Sequence, residues 1–523
     1  MLRSEIRQTR QMRRKRVPQI LVVSGQAKEL DAFEAEIQNG TTFSEALGGT
    51  SLARSHDADP ANPQIYAYQG GSWQKAALVS AVEPNLTDAQ TLAAAFLAAQ
   101  AKNNTQIRRY RLQDGLYNAS VLVALRRIIK ARPQFASLDI YLDGIFRNAP
   151  SQGEDGPTLR EPPRALRQAT LTDFEQQEAF KRLGVSHNDG RPTGQGVTVV
   201  ILDTSPAVED VCYNTVDFWL DLSAPVSDFP APLPYERRRR HLQTPVLASV
   251  PAFQAAQRNR YPHADDLDGP AMQPYHGMMI ATLIRYLAPK TTIVLVKVLN
   301  EQGEGAGVAL TNALAMVRYL QTARITVNGR RVVEDKLVFN LSFGLFRTQK
   351  EEVDAAYMLA TCDDICRSGA MMVVSSGNDS LELHPQNPQE PAAYGCFSDT
   401  PATNTNVIAV AATDSSDPGK RGSYAWFSNQ SNLGAPGHRL VLDVGEHSRV
   451  ASEPNSLTGD ACRFIEWSGT SFAAPLVAGS AAVLLSGPKP IASNAIKQRI
   501  WKTAIPPFDW NGVAELNLKA ALE

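Results

Sequence analysis

The chain has 523 residues, 43% of them apolar and 20% charged, with a formal net charge of -1. That is enough for two or three packed domains and excludes a wholly disordered chain. The near-zero charge gives no global reason to expect nucleic acid or an anionic membrane surface.

Residues 1–16 form a basic tail, in which Arg3, Arg7, Arg10, Arg13, Arg14, Lys15 and Arg16 face the single Glu5. A solvated, frayed terminus is the plain reading; the alternatives are a membrane or nucleic-acid arm and a processing site at Arg13–Arg16. No apolar run follows, so no secretory signal is visible. The longest greasy windows, AQTLAAAFLAAQA and FAAPLVAGSAAVLLS, fall short of the roughly 18 residues of a membrane span. The five cysteines are Cys212, Cys362, Cys366, Cys396 and Cys462. An odd number without an export signal points to free thiols in a reducing compartment, and so to a cytoplasmic location. Cys362 and Cys366 lie one helical turn apart, but two ligands fall short of the four a zinc site wants, and no metal is assigned.

Residues 17–146 read as a small α/β domain. QILVVS is a strand, and KELDAFEAEIQNG a helix with an Asn-Gly stop. QIYAYQ and AALVSAV are extended. Thr87 and Gln90 make a capping-box pattern before TLAAAFLAAQA. NASVLVALRRIIKARP is a helix ended by Pro133, and SLDIYLDGIF a strand. Residues 147–164, RNAPSQGEDGPTLREPPR, are rich in Pro, Gly and charge and read as an exposed linker.

Residues 165–523 alternate. Thr172 and Glu175 are expected to cap a helix through EQQEAFKRLG. Then come the strand GVTVVILD, the helix HGMMIATLIRYLA, the strand TTIVLVKVL, the helix VALTNALAMVRYL, the strand KLVFNLSFG, the helix VDAAYMLATCDDICRSG and the strand AMMVVSSGN. Continuous apolar strands separated by helices predict a mostly parallel central sheet covered on both faces. Ligands of such sheets bind at the carboxyl ends of strands. Those ends carry Asp203, Ser342 and the cluster from Ser375 to Asn378.

In WSGTSFAAPLVAG, Ser471 stands where a polar stretch becomes a long apolar one, at the start of a helix that looks buried. A serine nucleophile needs a base. Histidine serves near neutral pH, and an acid must orient it. Of eight histidines only His276 opens an apolar helix, and Asp203 ends the most apolar strand. Taken singly, Ser471 is equally an N-cap, Asp203 a strand-end turn residue and His276 a capped helix start.

Three blocks taken together, GQGVTVVILDTS, YHGMMIATLIRYLAP and SGTSFAAPLVAGSAAVLL, resemble the subtilisin-like serine proteases (subtilases, peptidase family S8). The chain order Asp, His, Ser is that family's. The resemblance covers roughly residues 165–523. It implies a three-layer subtilisin-like α/β fold, preceded here by the smaller α/β domain, and a triad of Asp203, His276 and Ser471. Asn378 falls at the oxyanion-hole position, where loss of the donor costs about 10²- to 10³-fold in a subtilisin. Ser342, Phe343 and Gly344 resemble one wall of the peptide-binding cleft, and Ser375, Ser376 and Gly377 the other. Leu345 stands where relatives often carry a second Gly. DTSPAVED replaces the usual DTG, and HGM the usual HGT. An insertion at about 213–270 includes the Arg237–Arg240 run and reads as a solvated loop, a lid, an exosite or an activation loop. No acidic calcium loop is evident, so no cofactor is assigned.

The expected function is a serine endopeptidase acting on protein or peptide substrates. Residues 17–146 take the place of the family's propeptide but are longer. They are read either as a propeptide, making the chain a zymogen, or as a regulatory domain that takes a partner. The alternative function is an inactive protease scaffold that binds or regulates. An esterase is disfavoured because the serine lies in SGTSFAAP, not in a GxSxG elbow.

Overall fold

The computed structural model describes residues 20–39, 51–55, 64–82, 91–92, 94–95, 106–113, 119–142, 145–148, 164–166, 169–186, 189–222, 273–300, 303–345, 356–380, 386–396, 406–415, 419, 421–445, 463–487, 491–508 and 512–523. The basic tail, the Thr87–Gln90 box, most of the 147–164 connection and residues 223–270 of the expected insertion lie outside them.

The N-terminal part builds a sheet from β1 (Ile20–Gly25) and β2 (Ser51–Ser55). The hairpin β3 (Gln64–Gln69) and β4 (Ser72–Lys75) follows, then β5 (Gln106–Gln113), β6 (Asp139–Leu142) and β7 (Ile145–Asn148). Strands β2, β5, β1 and β6 pair in that order, all antiparallel. Helices α1 (Ala27–Asn39) and α2 (Ala119–Lys130) bring apolar positions at helical spacing, Leu30 and Phe33, then Leu122, Leu125 and Ile129. These meet Leu21, Val23 and Tyr110 in a separate core. Side chains alternate across a strand, so Val22 points the other way and joins a core of the central sheet.

The predicted strand SLDIYLDGIF is two strands. β6 pairs with β1, whereas β7 enters a different sheet. An Asp-Gly pair, a strong turn signal, separates them. The helix cap near residue 172 also shifts. Thr170 and Asp173 form the capping box, and the predicted helix breaks into Leu171–Glu175 and Glu178–Leu183.

The central sheet takes its strands from β8 (Val197–Asp203), β9 (Phe218–Asp221) and β10 (Thr292–Lys297). A short strand, β11 (Glu304–Ala306), comes next. β12 (Lys336–Leu341), β14 (Met371–Ser375), β15 (Val407–Thr413) and β16 (Leu433–Pro436) complete the central sheet, while β11 and β13 (Phe343–Leu345) belong to another. The order is β16-β15-β14-β12-β8-β10-β9-β3-β4, and neighbours from β16 to β9 are parallel. The hairpin β3–β4 extends this edge antiparallel, with Tyr66 opposite Trp219 and their rings 5.0 Å apart.

Every residue of β8 is buried, because both faces of the sheet are covered. Val197, Val199 and Ile201 pack under α3 (His276–Leu287) and α6 (Thr470–Leu485). Val200 and Leu202 face α4 (Gly307–Thr322) and α5 (Ala356–Arg367). The protein is thus a three-layer α/β fold with a mostly parallel central sheet. Cys362 and Cys366 are free thiols on the buried side of α5. Burial pushes both pKa values up, that of Cys366 to about 12, which suits inert core residues. Among the described residues no helix is long and apolar enough to cross a membrane.

A third sheet bears on the site. β7 lies between β11 and β13, antiparallel to both, with Phe146 opposite Gly305 and Arg147 opposite Gly344. Its last residue, Asn148, pairs with Phe343.

Candidate active site

Asp203 is the last residue of β8, and His276 the first of α3. Both are fully buried, and His276 Nδ1 lies 2.8 Å from Asp203 Oδ1. The Thr204 N–H and hydroxyl donate to the same oxygen at 2.7 and 3.2 Å. Three donors on Oδ1 offset part of the cost of burying this carboxylate, whose Oδ2 is buried without a partner among the described residues. A carboxylate only accepts, so in a neutral imidazole held this way Nδ1 is the donor and Nε2 keeps the lone pair. Nε2 is buried and has no hydrogen-bond partner among the described residues.

Gly277 makes this approach feasible. A Cβ there would overlap Thr204 O and lie 3.0 Å from Leu295 Cδ1 and 3.1 Å from Asp203 Cβ. Gly277→Ala therefore pushes the start of α3 off the end of β8. The expected cost is about 1–3 kcal/mol for overpacking a tight core, read as a lower urea midpoint. An unchanged midpoint would show that the helix backs away freely.

Ser471 is the second residue of α6 and is fully buried. Pro475, inside that helix, has no N–H to give the carbonyl four residues earlier, which is that of Ser471. The Ser342 hydroxyl fills the gap, donating to Ser471 O at 2.9 Å, and Asn340 Nδ2 donates to that hydroxyl at 2.8 Å. In return Ser471 Oγ donates to Ser342 O at 3.0 Å. The serine hydroxyl is thus turned toward β12 and not onto the imidazole. The two groups are nonetheless on packed neighbours, since the His276 ring lies 5.1 Å from that of Phe472, the next residue after Ser471.

Asn378 Oδ1 accepts the Thr470 N–H at 2.9 Å, which turns its Nδ2 the other way. A Cβ on Gly469, at the mouth of α6, would lie 3.6 Å from that Nδ2. The Ser471 N–H belongs to the first helical turn, where N–H groups lack intrahelical acceptors and the dipole is positive.

The remaining sequence-predicted residues flank this point. Ser342 leads into β13, and Ser375, Ser376 and Gly377 leave β14. Ser375 and Ser376 are buried, with Ser376 Oγ donating to Asn429 O at 3.0 Å. Thr204, Asn340 and Gln389 escaped sequence reading, for their types are common and no spacing marks them. β11 escaped too, for a three-residue strand is too short to carry a pattern.

The sequence model of the subtilase family matches residues 194–520. Proteinase R of Parengyodontium album is 27% identical over 257 residues, 49% of this chain and 55% of that protein. This chain therefore spans about half the length of that relative. Subtilisin DY of Bacillus licheniformis is 27% identical over 242 residues, 45% of this chain and 70% of that one. Among solved structures, a cold-adapted subtilisin-like serine proteinase is 19% identical, covers 62% of this chain and 89% of its own, and aligns with a TM-score of 0.38.

Proposed function

The chain belongs to the subtilase family, and from that membership we propose that it is a serine endopeptidase with Asp203, His276 and Ser471 as its catalytic triad. The observation that carries this reading is the buried His276–Asp203 bond, which leaves Nε2 without a partner among the described residues, beside the helix whose second residue is Ser471.

In this mechanism Ser471 Oγ swings from Ser342 O toward Nε2. As Oγ bonds to the substrate carbonyl carbon, its proton passes to Nε2, and Asp203 stabilises the imidazolium. The carbonyl oxygen becomes an oxyanion held by Asn378 Nδ2 and the Ser471 N–H. The C–N bond then breaks, and Nε2 returns the proton to the leaving amine. Water repeats the cycle on the acyl-enzyme, releasing the acid and restoring the serine. A fluorophosphonate probe that labels the chain, together with cleavage of a peptide library read by mass spectrometry, tests the proposal. Turnover of esters alone would favour an esterase, and no labelling of any form would favour the inactive scaffold.

We further propose that the chain as folded is latent and processes itself. An extended substrate binds a protease cleft as an added strand. β7 already uses the facing edges of β11 and β13, and all three triad residues are fully buried. This supports the propeptide reading of residues 17–146 over that of a separate regulatory module. Incubating the purified chain and sequencing its new N-termini is expected to reveal a cut within 147–164. That cut is absent from Ser471→Ala. A single intact and fully active chain would rule latency out.

A further inference from the structure

The walls around Ser471 are not separated by open space. β12 and β14 run side by side and parallel as far as Leu341 and Val374. Beyond that point their chains part, one into Ser342–Gly344 and the other into Ser376–Asn378. The side chain of Gln389 lies in the gap. A Cβ on Gly344 would overlap Gln389 Oε1 and lie 2.9 Å from its Cβ. On the opposite wall a Cβ on Gly377 would lie 3.0 Å from Gln389 Cγ and Cδ. Glycine on both sides is what lets this side chain fit between them.

Gln389 is also held in place. Its N–H donates to Ser376 O at 2.9 Å, and its side-chain amide donates to Asp379 Oδ2. Asn429 Nδ2 donates to the same carboxylate oxygen at 3.3 Å, while Asn429 Oδ1 accepts the Asp379 N–H at 2.9 Å. The carboxylate is therefore engaged by two amides.

We propose that Gln389 is the specificity-determining residue of this cleft: it plugs the space between Gly344 and Gly377, so that the enzyme cleaves after residues with small side chains. The proposal rests on the peptidase reading above. A peptide laid on the edge of β13 with its carbonyl at Ser471 must send one side chain between the two walls. Gln389 leaves depth for Gly, Ala or Ser, and a large apolar or basic side chain meets the amide instead.

The test compares the self-processed full chain with Gln389→Gly and Gln389→Ala, using a peptide library varied at the residue on the acyl side of the cut. Each protein is first titrated with a fluorophosphonate, so that rates refer to competent sites. The wild type is expected to favour small residues. Both variants are expected to gain at least about tenfold in kcat/KM after Phe or Leu, the scale on which an added apolar group is discriminated by a pocket. Equal or better wild-type cleavage after Phe, Leu, Lys or Arg overturns the proposal, and so does a profile unchanged in both variants. Absence of titratable sites in the wild type removes the peptidase reading itself and this inference with it, which distinguishes the two failures.

Discussion

Replacing Ser471 by alanine is expected to abolish fluorophosphonate labelling and to lower kcat on a peptide substrate by about 10⁶-fold, the size of such a loss in a subtilisin. The fold should survive. The change removes one hydroxyl whose folded-state role is the 3.0 Å bond to Ser342 O, and a typical intramolecular hydrogen bond contributes about 1 kcal/mol net. The Ser342 hydroxyl still reaches the residue 471 carbonyl, because that bond uses backbone on the α6 side. A Tm close to that of the wild type, with labelling gone, would locate the loss in the chemistry. His276→Ala should cost nearly as much alone and add little on top of Ser471→Ala, since members of one relay act as a unit. Labelling retained in Ser471→Ala would remove the proposed mechanism, whatever the state of the other residues.

The second large effect is expected at Asn378. Its two amide atoms have separate tasks. Oδ1 caps the Thr470 N–H at 2.9 Å, and the capped orientation directs Nδ2 to the mouth of α6. Asn378→Asp keeps an acceptor for Thr470, so the start of the helix is preserved. It removes the donor and places a negative charge where an oxyanion would form. Asn378→Ala should lower kcat by about 10²- to 10³-fold with little change in KM, and Asn378→Asp at least as much. Active-site titration followed by steady-state kinetics reads both numbers. A loss confined to KM would mean that Asn378 serves binding and not the charge that develops in the transition state.

Much of this site was legible from local pattern. Strands such as VTVVILD declare themselves by unbroken apolar character, and their carboxyl ends carry polar residues that a buried sheet tolerates only with partners. Asp203 has those partners in Thr204 and His276. Gly277 after His276 and Pro475 after Ser471 were visible as residues, but their purposes were not. Gly277 answers to an atom of Thr204, and Pro475 answers to the hydroxyl of Ser342. Each pairing spans more than 70 positions of chain, and no periodicity encodes it.

Elements of the N-terminal part show the same boundary. Residues 20–39 and 119–142 follow their own periods and make their own core. The segments 64–75 and 145–148 also read as strands, yet a strand's pattern does not say which edge it will join. β3 settled on β9, and β7 between β11 and β13.

The sequence by itself determined the alternation of helices and strands and the chemical types at the strand ends, because those depend on side-chain period and burial along a short stretch of chain. It also carried the order of Asp203, His276 and Ser471. Only the tertiary structure decided that Ser471 rests against Ser342, that β7 lies between β11 and β13 and that Gln389 stands between two glycines. These depend on backbones brought within a few ångströms of one another from distant parts of the chain, and close packing between such backbones is a property of three dimensions.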